Sequence, residues 1–267
     1  MIYDADRARL RGTLEHLGVL GQLLSGREVD AELRGHLADL RHAGAVRGTD
    51  VAPDLQELVA TVSGPQFALE IETSSPAGAV HHSISVLERT AWVMEGWGDT
   101  DEVMWWPLET ALIIPAVASL VGLRRRDAGT EGRAEVTAPL ELVERALEVL
   151  RRGGPDHRET ALAAARAVAD QELSPSAAEA LMAMLVTHRS AWRVTVVDGT
   201  HGEPKARGLA VVDAGPSGLW LRTAPAEPML LESLREDTEL VLTPTTPGQV
   251  WAALVGLLEP TSAPLAV

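Results

Sequence analysis

The chain has 267 residues, of which 46% are hydrophobic, and a formal net charge of −15 at pH 7. This length can bury a substantial core, as one large domain or two smaller ones. The acidic surface repels phosphate backbones and anionic lipid headgroups, which disfavours nucleic-acid and membrane-surface functions. The absence of cysteine excludes disulfides, thiolate chemistry, iron–sulfur clusters and cysteine-ligated zinc.

Neither a leader nor a spanning segment is predicted. The chain is charged from Asp4 onward and lacks the basic-then-apolar order of a signal peptide. The most apolar stretch, residues 111–123, covers only thirteen positions and contains Pro115, whereas a spanning helix needs about twenty. We therefore expect a cytoplasmic protein without membrane insertion.

Residues 1–123 are predicted to form an N-terminal half in which helices precede a group of strands. Leucines spaced three or four apart indicate two amphipathic helices; they are Leu10, Leu14, Leu17, Leu20 and Leu24, then Leu33, Leu37 and Leu40. A third helix opens at Pro53. Alternation from Phe67 to Glu72 predicts a strand, followed by a loop over 73–79, a second strand over 83–88 and a third that holds Trp92.

Residues 124–138 are polar and contain glycine, so they are predicted to be a linker to a C-terminal half over 139–259; residues 260–267 are predicted to be a flexible tail. The second half repeats the order of the first. A helix contains Leu140, Val143, Leu147 and Leu150. Another starts near Pro175, either with Ser174 as its cap or with Ser176 and Glu179 as a capping box. Strands follow at 192–197, 208–213 and around Trp220, with a loop over 198–206.

The two halves also repeat one another in sequence. Residues 116–123 and 250–257 share five of eight positions, and each segment follows a short apolar run ended by a proline, Pro107 or Pro244. The repeat predicts an α+β fold with a pseudo-twofold central antiparallel sheet, built from two related helix–strands–helix halves and flanked by helical bundles.

Motifs for catalysis and cofactor binding are missing from the sequence. It contains no phosphate-binding glycine loop and no nucleophile elbow, so no catalytic residue, cofactor or metal is predicted. His81 and His82 are neighbours on a strand and should point to opposite faces, so they do not readily share an ion. The remaining histidines are interpreted as surface residues; they are His16, His36, His42, His157, His188 and His201. Glu70 and Glu72 fit a solvated strand face or an acid–base pair.

Seven tryptophans against one tyrosine and one phenylalanine give the sequence an unusual aromatic content. Trp192 and Trp251 are predicted to lie in the core. Trp92 and Trp97, five positions apart along one strand, should face opposite sides, and the neighbours Trp105 and Trp106 should also diverge. At least two indoles then reach a face away from the main core, either under a helix or in a contact patch.

The repeat, the helix–strands–helix unit and the lack of catalytic groups resemble the EspG family of actinobacterial type VII secretion (ESX) chaperones. The second half carries most of the likeness, in the segments 181–185, 192–196, 208–213, 218–221, 240–244 and 250–254. EspG proteins usually have arginine or tyrosine near the second-half turn, where this chain reads Gly215-Pro216-Ser217-Gly218.

The resemblance implies a non-catalytic chaperone that binds the tip of a helical secretion substrate, of PE–PPE or WXG type, and keeps it soluble until export. Any homodimer is expected to be weak. The partner-facing parts are predicted to be the strand-connecting loops and the helices near 140–170. The predicted contact residues are Ser74, Ser75, Pro76, His81, Trp97, Asp198, His201, Glu203 and Lys205.

Two other functions remain open from the sequence. One is an enzyme whose site is assembled from scattered Glu, Asp and His residues across the seam between the halves. The other is a small-molecule sensor with a tryptophan-lined pocket. Neighbouring genes for WXG-type or PPE-type proteins and a membrane ATPase would favour the chaperone.

Overall fold

The fold comes from a computed structural model that describes residues 1–75, 77–98, 100–125, 133–151, 159–160, 162–163, 166–167, 169, 173–199, 205–228, 235 and 238–259. The fold is α+β and its strands pair antiparallel, as predicted. The chain divides into two compact units. The first contains Met1–Glu72, Ala79–Leu120 and Val197–Lys205, and the second contains Thr73–Gly78, Val121–Val196 and Ala206–Val267.

The strands of the first unit lie in the order β1-β2-β8-β7-β6-β5. Their bounds are β1 Ile2–Asp4, β2 Arg9–Gly12, β5 Phe67–Ser75, β6 Gly78–Leu87, β7 Thr90–Gly96 and β8 Val103–Glu109; a separate two-stranded sheet joins β3 Val46–Arg47 to β4 Asp50–Val51. The helices are α1 Leu14–Leu24, α2 Arg34–His42, α3 Pro53–Ser63 and α4 Ile113–Leu120. Leucines of α1–α3 pack against Trp92 and Trp105 to form a core.

The second unit has strands in the order β10-β11-β12-β13-β9. Their bounds are β9 Val136–Pro139, β10 Ser190–Asp198, β11 Lys205–Asp213, β12 Leu219–Ala224 and β13 Glu239–Thr245. Three helices are described: α5 Leu140–Arg151, α6 Pro175–Thr187 and α7 Pro247–Leu258. Its core joins Trp220 to Val143 of α5 and to Leu181 and Leu185 of α6.

The topology repeats between the units, as the sequence predicts. In each unit a helix that begins with proline, α3 or α6, is followed by four antiparallel strands and a final helix, α4 or α7. The predicted cap on α6 is confirmed, because the Ser174 hydroxyl accepts the Ala177 N–H at 3.3 Å. The start of α7 is also capped, since Thr246 Oγ1 accepts the Gln249 N–H at 3.2 Å.

Several strand bounds differ from the sequence prediction. Leu10 lies in β2 and pairs with Trp105, so the first leucine helix begins only at Leu14. The strand forms because β8 supplies a hydrogen-bonding partner that local periodicity does not reveal. In the same way, residues 136–138 of the predicted linker belong to β9, which pairs with β13. The predicted loop over 73–79 is also shorter, because β5 continues to Ser75 and β6 begins at Gly78.

The prolines do not end their strands as predicted. β8 continues past Pro107 to Glu109, and β13 continues past Pro244 to Thr245. β2 pairs with β8 only as far as Trp105, and β9 pairs with β13 only as far as Leu242. Each proline therefore lies beyond the part of its strand that pairs with the outer neighbour. No hydrogen bond to that neighbour is lost through the missing N–H.

The tryptophan predictions are partly confirmed. Trp192 and Trp105 are buried. Trp106, the neighbour of Trp105, is half-buried, and its Nε1 donates a hydrogen bond to Glu95. Trp251 is 41% exposed, so its predicted core position is wrong. α7 is apolar almost all round, and it buries the Val250 and Leu254 face instead. Trp97 lies beyond the end of β7, which stops at Gly96.

Candidate partner interface

The nine predicted contact residues are distributed over several elements. Ser74 and Ser75 end β5, His81 lies on β6, and Trp97 follows β7; Asp198 ends β10 and Lys205 begins β11. Pro76, His201 and Glu203 lie outside the described residues. The Ser75 hydroxyl accepts the Ala77 N–H at 3.2 Å, which holds the turn between β5 and β6.

Trp97 anchors a partly exposed cluster in the first unit. The Arg11 guanidinium lies over the Trp97 ring at 4.7 Å, and Arg11 Nη2 donates to Glu102 Oε2 at 2.7 Å. A second indole belongs to the same face, because Trp106 Nε1 donates to Glu95 Oε2 at 3.3 Å. We call Arg11, Trp97, Glu102, Glu95 and Trp106 the tryptophan patch.

Strand parity explains why the tryptophan patch lies on one face of the sheet. Arg11 pairs with Met104, which in turn pairs with Glu95, so these side chains share a face. Trp105 points to the other face and packs under α1–α3. The patch thus presents two half-buried indoles and one guanidinium, groups that are enriched at protein contact surfaces, beside two carboxylates.

A small cleft adjoins the tryptophan patch. It is lined by His82, Glu95, Trp106, Ala116, Ser119 and Leu120, and its volume is about 150 Å³. Sites for drug-sized ligands usually enclose about 300–1,000 Å³, so this cleft is too small for the sensor pocket considered from the sequence.

His82, Glu95 and Ser119 line this cleft together, but they do not form a catalytic arrangement. Nδ1 of His82 accepts the Gly96 N–H at 3.2 Å, so the neutral ring carries its proton on Nε2. Burial, reinforced by the nearby His81, lowers the pKa of His82 to about 4. Without a free ring lone pair and with so low a basicity, His82 is a poor general base at neutral pH.

The pair His81–His82 behaves as the strand geometry predicts. His81 is exposed and its Nε2 lies 2.9 Å from Glu70 Oε2, whereas His82 is buried on the cleft side. The hydrogen bond to Glu70 raises the pKa of His81, with a further contribution from the charge of Glu72. Glu70 and Glu72 alternate with the buried Leu69 and Ile71, which favours the solvated-face interpretation of the two carboxylates.

Sequence reasoning missed Arg11, Glu95 and Glu102. Arg11 lies on β2, in a stretch that the leucine spacing predicts to be helical, and its contact with Trp97 spans 86 positions of the chain, from 97 back to 11. The available signal was the excess of tryptophan, which pointed to Trp97 and to Trp106 but not to their polar partners. The buried positions of His16 and His188 were also missed, since both were interpreted as surface residues.

No protein-family model matches this sequence, and no curated protein matches it. In three dimensions the chain matches the Mycobacterium tuberculosis type VII secretion system chaperone EspG5, solved in complex with a PE25–PPE41 dimer. The fold is EspG-like. The match has a TM-score of 0.57 and covers 94% of this chain and 95% of that chain, at 15% sequence identity.

The EspG-like fold confirms the resemblance drawn from the repeat and the strand segments. At 15% identity the similarity concerns the fold. Among the described residues, no helix is both long and apolar enough to span a bilayer.

Proposed function

We propose that this protein is a chaperone that binds a helical type VII secretion substrate, keeps it soluble and delivers it for export. One observation carries the proposal: the fold matches that of EspG5 over nearly the full length of both chains. A match of that extent includes the strands and the helices together, rather than a single shared motif.

The substrate that we propose is a PE–PPE dimer. The matching EspG5 structure contains a PE25–PPE41 dimer, and this supports a PE–PPE partner over the WXG-type partner that the sequence left open. Nothing in the comparison favours a homodimer. We place the protein in the cytoplasm and assign it no catalytic step, consistent with its acidic composition and with the inert state of His82 in the cleft.

The tryptophan patch of the first unit is the surface that we propose for substrate contact. Indole and guanidinium groups supply most of the binding free energy at many protein interfaces. Arg11 is held in place by Trp97 on one side and Glu102 on the other, so little side-chain entropy is lost when it meets a partner. The carboxylates Glu95 and Glu102 favour a substrate tip that carries basic residues.

Co-purification tests this function directly. The full chain would be co-expressed with a PE–PPE pair encoded near its own gene, and the complex would be analysed by size-exclusion chromatography with light scattering. We expect a stable complex with one copy of each of the three chains. A soluble PE–PPE dimer that elutes separately at micromolar concentration would overturn the proposal. A complex formed only with a WXG-type dimer would overturn the choice of a PE–PPE dimer as the substrate.

A further inference from the structure

A cluster of two histidines and an aspartate lies in the first unit, on α1 and α2. His16 belongs to the first turn of α1, and His36 and Asp39 lie three positions apart on α2, so they share one face of that helix. One donor atom from each residue lies within 4.8 Å of the others. His16 Nε2 is 3.7 Å from Asp39 Oδ2, and the two imidazoles meet edge to face at 4.6 Å between centroids.

One ring nitrogen of each histidine in this cluster has no hydrogen-bond partner among the described residues. Within the described part of the chain, His16 Nε2 and His36 Nδ1 are both buried and lack a hydrogen-bond partner. His16 is only 4% exposed, so its ring is almost fully removed from bulk solvent. Buried polar atoms without partners are rare in native proteins, because each costs free energy comparable to a lost hydrogen bond.

We infer that His16 Nε2, His36 Nδ1 and Asp39 form a binding site for a divalent transition-metal ion, with Zn²⁺ as the best fit. Two imidazole nitrogens and one carboxylate oxygen match the ligand preferences of zinc. A tetrahedral zinc ion holds its donors about 3.4 Å apart, so the three donor atoms must move by about 1 Å to bind it. The exposed side chain of Asp39 can make that movement at little cost. Three protein ligands leave one position for water.

Thr13 lies behind the site and, in the metal-free chain, keeps the proton of the neutral His16 ring on Nε2. The Thr13 N–H donates to His16 Nδ1 at 3.1 Å, and the Thr13 hydroxyl oxygen lies 3.0 Å from the same nitrogen. A metal on Nε2 requires the ring proton to move to Nδ1, where the Thr13 hydroxyl oxygen accepts it; the Thr13 N–H then gives up its bond to Nδ1. The ring keeps one proton throughout, and Thr13 becomes the positioning residue behind the ligand.

Titration of the metal-free full chain with Zn²⁺ alone, followed by calorimetry, tests the site. We expect one ion per chain, and we expect Co²⁺ in its place to give the visible absorption bands of a tetrahedral N/O site. His36→Ala and Asp39→Asn should each weaken binding by more than about 10-fold, and Thr13→Val by about 10-fold. His42→Ala, on the exposed side of the same helix, should bind as the wild type does.

The stoichiometry and the variants decide the outcome. The site is refuted if the wild type binds no Zn²⁺, or if His36→Ala and Asp39→Asn bind it as tightly as the wild type. A loss that occurs equally in His42→Ala would also overturn it, since binding would then depend on histidines in general. His16 is buried, so its substitution could unfold the protein; the exposed and half-buried ligands keep the test independent of folding. The experiment does not involve a secretion substrate, so its outcome is separate from that of the chaperone function.

Discussion

Trp220 on β12 lies directly opposite Pro244 on β13. The first unit contains the same relationship, because Trp92 on β7 lies opposite Pro107 on β8. In both units the indole is almost fully buried against the helices that precede the strands. The pairing therefore recurs in both units, and it places proline at a position that the outer strand does not pair.

Removal of either indole should destabilise its unit strongly. Trp92→Ala and Trp220→Ala are each expected to lower the free energy of unfolding by about 3–5 kcal/mol, since a large buried side chain leaves a cavity. Trp251→Ala serves as the matched control, because that indole is 41% exposed and its loss should cost about 0.5 kcal/mol or less. Urea denaturation measures all three; similar effects for Trp220 and Trp251 would contradict the packing described above.

A buried ion pair in the second unit gives a second prediction. The side chain of Arg222 is 9% exposed, and it contacts the side chain of Glu227, which is 2% exposed. It also lies 3.8 Å from Glu144, whose side chain is 56% exposed. Glu227→Ala should cost about 3 kcal/mol, because it leaves the guanidinium without its buried partner. Glu144→Ala should cost about 1 kcal/mol or less, since exposed pairs are screened by solvent. Equal melting temperatures for the two variants would show that Glu227 is not a buried partner.

Acid should destabilise the protein through His82. Its pKa is lowered from 6.5 to about 4 by burial, so below about pH 6.5 the unfolded chain binds a proton that the folded chain does not. The free energy of unfolding should therefore fall as the pH drops from about 6.5 to about 4, by on the order of 3 kcal/mol, and then level off for this group.

His81 acts in the opposite sense, because its raised pKa contributes stability at low pH that is lost as the pH rises. It is half exposed, so this contribution is small. His82→Asn keeps an acceptor for the Gly96 N–H and removes the titration. Urea unfolding between pH 4 and pH 7 should show a weaker pH dependence for the variant than for the wild type; parallel curves would contradict the assignment.

The tryptophan patch predicts a loss of binding without a loss of fold. Trp97→Ala should weaken the complex with a PE–PPE dimer by about 10-fold or more, as expected when an interface indole is removed. Its loss should cost only about 1 kcal/mol of stability, the typical size of an exposed cation–π contact. Leu24→Ala, an exposed apolar residue on α1, is the control and should bind normally. Unchanged affinity for Trp97→Ala would place the interface elsewhere.

The sequence predicted much of the fold because the relevant signals are local. Alternation over Phe67 to Glu72, the cap at Ser174 and the repeated apolar helices each depend on residues a few positions apart. The strands β1, β2 and β9 escaped prediction because each is only three or four residues long and forms by pairing with a strand far away in the chain. Composition pointed to the two indoles of the tryptophan patch. Its polar members Arg11, Glu95 and Glu102 required the pairing of β2 and β7 with β8.

By itself the sequence determined the repeat of a helix, strands and a helix, the acidic surface and the lack of cofactor motifs, because periodicity and composition are properties of the chain alone. Tertiary structure decided which face of an almost wholly apolar helix is buried, so that Val250 lies inside and Trp251 outside. It also brought His16 to His36 and Arg11 to Trp97. The reason is physical: a side chain's environment depends on the elements packed against it, and those contacts join residues that the sequence keeps apart.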